Sequence, residues 1–240
     1  MDATNTAQPP TPDTMSASYS PFCTVTGADE YTDVGMLQKL DAEIGLLYTA
    51  TPEGRNRYPS KEWIESAARN LSSVAIHICG STARRELLSG WLDDLLENAQ
   101  RVQVNGNLTI GDCERICAMY PNKTIITQHK PDNRRLLVVE SPNHSLLVDA
   151  SGGRGISPDV WQNPGTQKPA GYAGGLGPDN MAVELRRIAH VAHGLWWVDM
   201  EGKLRVNDWF SFERARDAVL AFHNSLQDLR NELPQPVKWS

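Results

Sequence analysis

The stretch "LLVDASGGRGISPDVW" (146–161) ends an apolar run on a carboxylate, Asp149, and follows it with a loop rich in glycine. A carboxyl group at the edge of a buried run is of a type that can deliver a proton to a bound ligand. Glycine leaves no Cβ in the way, so the loop can bring backbone N–H groups close to a ligand or turn a tight corner. Asp149 equally suits capping that loop through its own hydrogen bonds. A second glycine element, "YAGGLGPDN" (172–180), has two glycines at the end of an apolar run, then Gly177 and Pro178 opening a helical pattern. Amides that face inward beside a helix N-terminus suit a phosphate, or form a close strand-to-helix turn. Cys23 could act as a thiolate base if nearby positive charge stabilises it, or it could be a small apolar core residue. Arg57 with neighbouring Arg55 fits either an anion contact or a solvated loop. His77 fits either an acid–base role or a satisfied interior histidine.

These residues need a scaffold, and the apolar pattern supplies one. Short apolar runs recur roughly every 25 residues, each followed by a polar loop and usually by a helical pattern. They are "PFCTVT" (21–26), "IGLLYT" (44–49), "SVAIHIC" (73–79), "QRVQV" (100–104), "KTIIT" (123–127), "HSLLVD" (144–149), "PAGYAG" (169–174) and "GLWWVD" (194–199). Leu88, Trp91, Leu92 and Leu95 predict one helical stripe across 82–99. Phe212, Ala215, Val219, Phe222 and Leu226 predict another, and Ile64, Ala67, Ala68 and Leu71 a third behind Pro59 and Ser60. Pro178 and Asp179 are expected in the first turn of a helix that ends before Gly194. Eight strand–helix repeats argue for a single (β/α)8 TIM barrel over 21–240, with an open doubly wound sheet as the alternative. Residues 1–20, rich in Thr, Ser, Ala and Pro, are expected to form a flexible tail.

Composition narrows the partners. The 240 residues are 40% hydrophobic and 22% charged, with a formal net charge of -6. No basic run is long enough to track a phosphodiester backbone, so nucleic acid is not expected as a partner. No apolar stretch approaches the ~20 residues of a membrane span, and no signal-peptide pattern opens the chain, so a cytoplasmic location is the expectation. The four cysteines form no CxxC pair and no zinc-type spacing, which points to no metal. Cys113 and Cys117 would share one helix face as buried apolar groups.

In a barrel, chemistry sits at the C-terminal ends of the strands. His77, Gln103, Asn105 and Gln128 stand there with Asp149 and are expected to bind substrate. "PFCTVT", "RYPS", "VQVNG", "LLVDASGGRGISPDVW", "AGGLGPDN" and "WVDMEG", in this order, resemble the phosphoribosylanthranilate isomerase family. The resemblance spans residues 21 to about 222 and rests chiefly on the strand-six acid with its loop and on the AGGL element. It implies a (β/α)8 barrel without a cofactor that rearranges a phosphoribosylamine into an aminodeoxyribulose phosphate in tryptophan biosynthesis. It further implies Cys23 as general base, Asp149 as general acid, Arg57 on the substrate carboxylate, and Gly174 and Gly175 on the phosphate. Gly153 and Gly202 complete the expected phosphate cradle. The ligand would be a small phosphorylated metabolite, and the chain a monomer or homodimer.

The sequence departs from the family pattern in places that bear on function. Thr24 replaces a glycine beside Cys23, Asn105 replaces a histidine, and Glu201 stands close to the expected phosphate, where it would repel that group unless turned away or paired with Lys203 or Arg205. "HICG" makes Cys79 a competitor for the thiol role. Two other functions therefore stay open: a non-catalytic binder of a phosphorylated metabolite, and a lyase or epimerase working through His77 and Cys79.

Overall fold

Strands buried on both faces read as near-continuous apolar runs, and each of the eight runs forms a strand. The computed structural model describes residues 20–149 and 155–232, so Gly153 and the segment 1–19 lie outside the described residues. The strands are β1 (Phe22–Thr26), β2 (Glu43–Thr49), β3 (Val74–Cys79), β4 (Arg101–Val104), β5 (Thr124–His129), β6 (His144–Asp149), β7 (Ala170–Ala173) and β8 (Trp196–Met200). They pair in chain order, all parallel, and the barrel closes where β8 meets β1, from Phe22 opposite Trp197 to Val25 opposite Met200.

The outer layer is less regular than the strands. Helices α1 (Val34–Leu37), α2 (Lys61–Asn70), α3 (Ser81–Leu88), α4 (Asp93–Leu96), α5 (Ile110–Met119), α6 (Met181–Ala189) and α7 (Phe212–Glu232) surround the sheet. A 3-10 helix over Pro131–Val138 joins β5 to β6. The single helix expected across 82–99 is instead α3 and α4, because Gly90 takes a φ of +74° between them. Trp91 is left 73% exposed, while Leu87, Leu92, Leu95 and Leu96 are buried. Pro178 and Asp179 stand in a turn ahead of α6, whose N-cap is Asn180. After β8 come a 3-10 turn (Gly202–Leu204) and a hairpin of β9 (Arg205–Val206) and β10 (Trp209–Phe210), which the periodicity does not announce.

Outward strand residues and the helix stripes form one core. Ala215, Val219, Phe222 and Leu226 of α7 are buried in it, as are Ile64, Ala67 and Ala68 of α2 and both Cys113 and Cys117 of α5. Ser60 caps α2 by accepting from the Trp63 N–H, and Thr109 with Asp112 forms a capping box on α5. Among the described residues no helix is long and apolar enough to cross a membrane.

The barrel interior is plugged below the strand ends. Trp197 stacks on Phe22 with ring centroids 5.9 Å apart, and Gly171 opposite has no Cβ because one would collide with the Trp197 indole. The Arg101 guanidinium lies 3.9 Å from the centre of the Trp197 ring and bonds Glu43 at 2.8 Å. Glu43 also accepts from the Thr24 hydroxyl at 2.8 Å. This plug of aromatic rings and one ion pair forms the floor on which the mouth of the barrel rests.

Candidate active site

Above that floor a cavity of about 360 Å³ opens at the C-terminal ends of the strands. Side chains alternate across a strand, so only every second residue reaches it. His77 and Cys79 reach it from β3, Gln103 from β4, Gln128 from β5, Asp149 from β6, Ala173 from β7 and Asp199 from β8. Arg57, Asn105, Gly174, Gly175 and Gly202 line it from the loops. The structure thus brings together every described residue named from the sequence as a site residue, with one exception.

That exception is Cys23, and its expected position facing substrate is corrected. Thr24 and Thr26 point inward, to Glu43 and Asp199, so Cys23 and Val25 between and beside them point out toward the helices. Cys23 is fully buried in the sheet–helix core, with α7 packed over β1, and does not line the cavity. Burial raises its thiol pKa, and the nearby carboxylate of Asp41 adds to the effect. The thiol that does line the cavity is Cys79, which accepts a bond from Asn105 Nδ2 at 3.2 Å. Burial pushes it up to about 11, against the lowering effect of Asn105.

His77 is buried beneath the cavity, and burial pushes its pKa down to about 4. Gln103 Nε2 lies 3.1 Å from His77 Nδ1 and 3.1 Å from Asn105 Oδ1, so the amide donates to both and the imidazole carries its proton on Nε2. A neutral thiol and a neutral imidazole are the reverse of an activated thiolate–imidazolium pair. Burial thus works against a His77–Cys79 couple by disfavouring the charged form of each.

Two carboxylates complete the floor. Asp149 accepts from Gln128 Nε2 at 3.3 Å. Asp199 accepts from Thr26 Oγ1 at 2.6 Å, and its carboxyl is pushed up to about 6 by burial, against the lowering effects of Thr26, Arg101 and Gln103 and with a further rise from Asp149. Asp199 is the last residue of the apolar run "GLWWVD", as Asp149 is the last of "HSLLVD". The pairing with Thr26, 173 residues away, is a product of barrel closure.

The glycine turn after β7 is held by its neighbours. Gly174 and Gly175 take φ values of +141° and +59°. A Cβ on Gly175 would stand 2.5 Å from the Ser157 backbone nitrogen and 2.7 Å from the Gly155 oxygen, so the loop after β6 packs directly on this turn. Asn180 clamps it, donating to Gly175 O and Ser157 Oγ at 2.9 Å each and accepting from Gly177 N–H at 3.0 Å. Nothing in the sequence pattern beyond an asparagine at a helix start marks that clamp.

Glu201 is ion-paired with Arg57, a partner not expected, and Arg205, one of the two that were, also favours its ionised form. It bonds Arg57 Nη1 at 2.7 Å and leans over Gly27, with Arg205 nearby. Burial raises its carboxyl pKa, Arg57 opposing. Its carboxylate is thus held by a cation, with its side chain beside Gly27 at the end of β1. Arg57 is held in turn by Glu201 and by Asp208 at 3.4 Å, with its buried Nε lacking a hydrogen-bond partner. Arg55, over the Tyr58 ring at 5.1 Å, is a second cation on the cavity wall. Among the described residues no group of three or more potential metal ligands converges.

No protein-family model matches the sequence, and no curated protein matches it. Solved structures do. The phosphoribosyl anthranilate isomerase of Thermus thermophilus is 18% identical, with a TM-score of 0.62 over 85% of this chain and 98% of its own. TrpF of Jonesia denitrificans is 16% identical, with a TM-score of 0.64 over 86% and 98%. A 3-hexulose-6-phosphate synthase is 14% identical, with a TM-score of 0.54 over 83% and 99%. At such identities the likeness is one of fold, and the chain shares the (β/α)8 fold of the phosphoribosylanthranilate isomerases that its sequence resembles.

Proposed function

We propose that the protein is an acid–base isomerase of a phosphorylated sugar or nucleotide-like compound, with phosphoribosylanthranilate as the most specific substrate. The observation that carries this reading is a single cavity in which Asp149 stands beside the Gly174–Gly175 turn, with Arg55 and Arg57 on the facing wall. The glycine turn and Gly202 offer backbone to a phosphate at the place where barrels often hold one, after strands seven and eight. A phosphate there anchors the sugar over β6, β7 and β8. Asp149 donates a proton to the furanose ring oxygen as the C1–O bond opens, and the arginines take a carboxylate at the far end. The likeness to two isomerases of this type and to a sugar-phosphate synthase supports a phosphorylated substrate.

The test is incubation of the purified full chain with phosphoribosylanthranilate, following fluorescence and the mass of the product. Conversion without change of mass, lost in Asp149→Asn, is the expected result. Retention of the compound without conversion would move the function to binding, the reading suggested by Glu201 and Asn105 standing where the family pattern differs.

A further inference from the structure

An isomerase of this kind needs a base as well as an acid, and Cys23 faces the wrong side of the sheet. The remaining titratable groups on the cavity wall can be compared one by one. Cys79 holds its proton at neutral pH, the Tyr58 phenol is pushed further up by burial, and His77 presents an N–H while its Nδ1 lone pair is engaged by Gln103. Glu201 is committed to Arg57 and leans over Gly27. Asp199 is the group left.

Its position is fixed by strand register. Asp149 stands opposite Ala173, and Ala173 opposite Asp199, so the two carboxylates lie in one layer on either side of a single small residue. Two strand spacings put their Cα atoms roughly 10 Å apart, with both side chains projecting into the cavity between them. Ala173 runs directly into Gly174 and Gly175. A sugar anchored by its phosphate at that turn therefore lies across Ala173, with one carboxylate on each side.

We infer that Asp199 is the general base of the reaction, working opposite Asp149 and held by Thr26 at the seam between β8 and β1. This rests on the isomerase reading above. In the forward direction Asp149 gives its proton to the ring oxygen, the C1–O bond breaks, and the nitrogen lone pair forms an iminium at C1. Asp199 then takes the proton from C2, and the C–H electron pair forms the C1=C2 bond while the iminium π pair returns to nitrogen. Asp149, now ionised, takes the proton from the C2 hydroxyl as C2=O forms, and Asp199 returns its proton to C1. Both carboxyls end as they began, and no oxidant or reductant enters.

The surroundings of Asp199 agree with this role. Thr26 from β1 hydrogen-bonds it, Gln103 from β4 and Arg101 favour its ionised form, and the carboxylates of Asp149 and Glu201 oppose it. The balance leaves a carboxyl that is ionised at pH 7 yet takes up a proton near pH 6.

The experiment measures kcat and KM from pH 5 to 9 on phosphoribosylanthranilate for the unaltered chain, Asp199→Asn, Thr26→Val and Cys23→Ala. Asp199→Asn is expected to lose about 10²–10⁴-fold in kcat with KM within about threefold. Thr26→Val keeps the carboxylate but removes a bond that favours its ionised form, so the acid limb of kcat should move upward from about 6. Cys23→Ala should match the unaltered chain. If the unaltered chain converts substrate and Asp199→Asn keeps more than a tenth of kcat, or Thr26→Val leaves the acid limb in place, the base is another group and the isomerase reading stands. If the unaltered chain converts nothing, both fall together.

Discussion

Thr26 donates a 2.6 Å hydrogen bond to Asp199 across the seam where the last strand closes on the first. One short bond to a neutral hydroxyl only partly offsets the cost of burying a carboxylate, which is why the Asp199 carboxyl stays raised, at about 6. Groups kept at such a cost in the floor of a cavity are the kind that functional sites hold.

The sign of that cost gives the first prediction. An acid with a raised folded pKa binds its proton more strongly in the folded state, so its contribution to stability falls as pH rises from about 4 through 6. Asp199→Asn removes the ion and should therefore stabilise the protein by about 1–3 kcal/mol at pH 7. The gain should be mostly gone at pH 4, where Asp199 is protonated in the folded state and close to half protonated in the unfolded one. Thermal unfolding of the two proteins at pH 4 and pH 7 measures it, and equal Tm values at pH 7 would show that the carboxylate is fully compensated.

Two histidines act in the opposite sense. Burial pushes both His77 and His144 down to about 4. The stability tied to their neutral forms is present above the ordinary histidine range and is lost as pH falls toward 4, amounting to about 2 kcal/mol each by pH 5. His144 lies outside the cavity with Nε2 2.8 Å from Thr127 Oγ1, so it can be altered without touching the site. His144→Gln should remove a third to a half of the fall in urea midpoint attributable to histidine between pH 7 and 5, since burial also lowers His129, and an unchanged fall would assign the acid sensitivity elsewhere.

The plug under the cavity makes a third. Arg101 and Glu43 are both buried and bonded at 2.8 Å, with Arg101 also against Trp197 and Phe22. Removing one partner strands the other charge in the interior, at a cost of about 3–5 kcal/mol. Arg101→Met should lower stability by that amount, and Arg101→Met with Glu43→Gln should recover more than half of it. A urea titration of the single and double variants separates an uncompensated charge from simple loss of packing, since packing loss would not be recovered.

The sequence carried the barrel because the signal is repeated eight times and each strand is apolar on its outer face. What it carried poorly was which face each residue takes. A one-residue difference in register turns a strand over, and Cys23 and Thr24 are equally plausible inward residues until Thr24 is seen to bond Glu43. Asp149, His77, Gln103, Gln128 and the glycines were legible because a polar residue or glycine at the end of an apolar run stands out. Asp199 stood out in the same way, but its partner Thr26 lies at the other end of the chain, and only closure joins them. The break at Gly90 was hidden by a stripe that runs through it, since the leucines on both sides are buried by two short helices instead of one.

The glycine turn supplies the last prediction. Gly175 has a φ of +59° and no space for a Cβ, because the backbone of Gly155–Ser157 packs against it. Gly194 has a similar φ of +62° with nothing within 4 Å of where a Cβ would stand. Gly194→Ala therefore reports the backbone strain alone, about 1 kcal/mol. Gly175→Ala carries the same strain and also pushes the loop after β6 off the turn, loosening the contacts of Ser157 and Asn180 that hold Gly175 in place. It should cost about 3 kcal/mol or more and weaken binding of inorganic phosphate at least tenfold, whereas Gly194→Ala leaves phosphate binding intact. Isothermal titration with phosphate beside unfolding measurements distinguishes the two effects. Equal losses of stability in both variants would mean that the loop yields to the added methyl, and unchanged phosphate affinity in Gly175→Ala would remove the turn from the anion site.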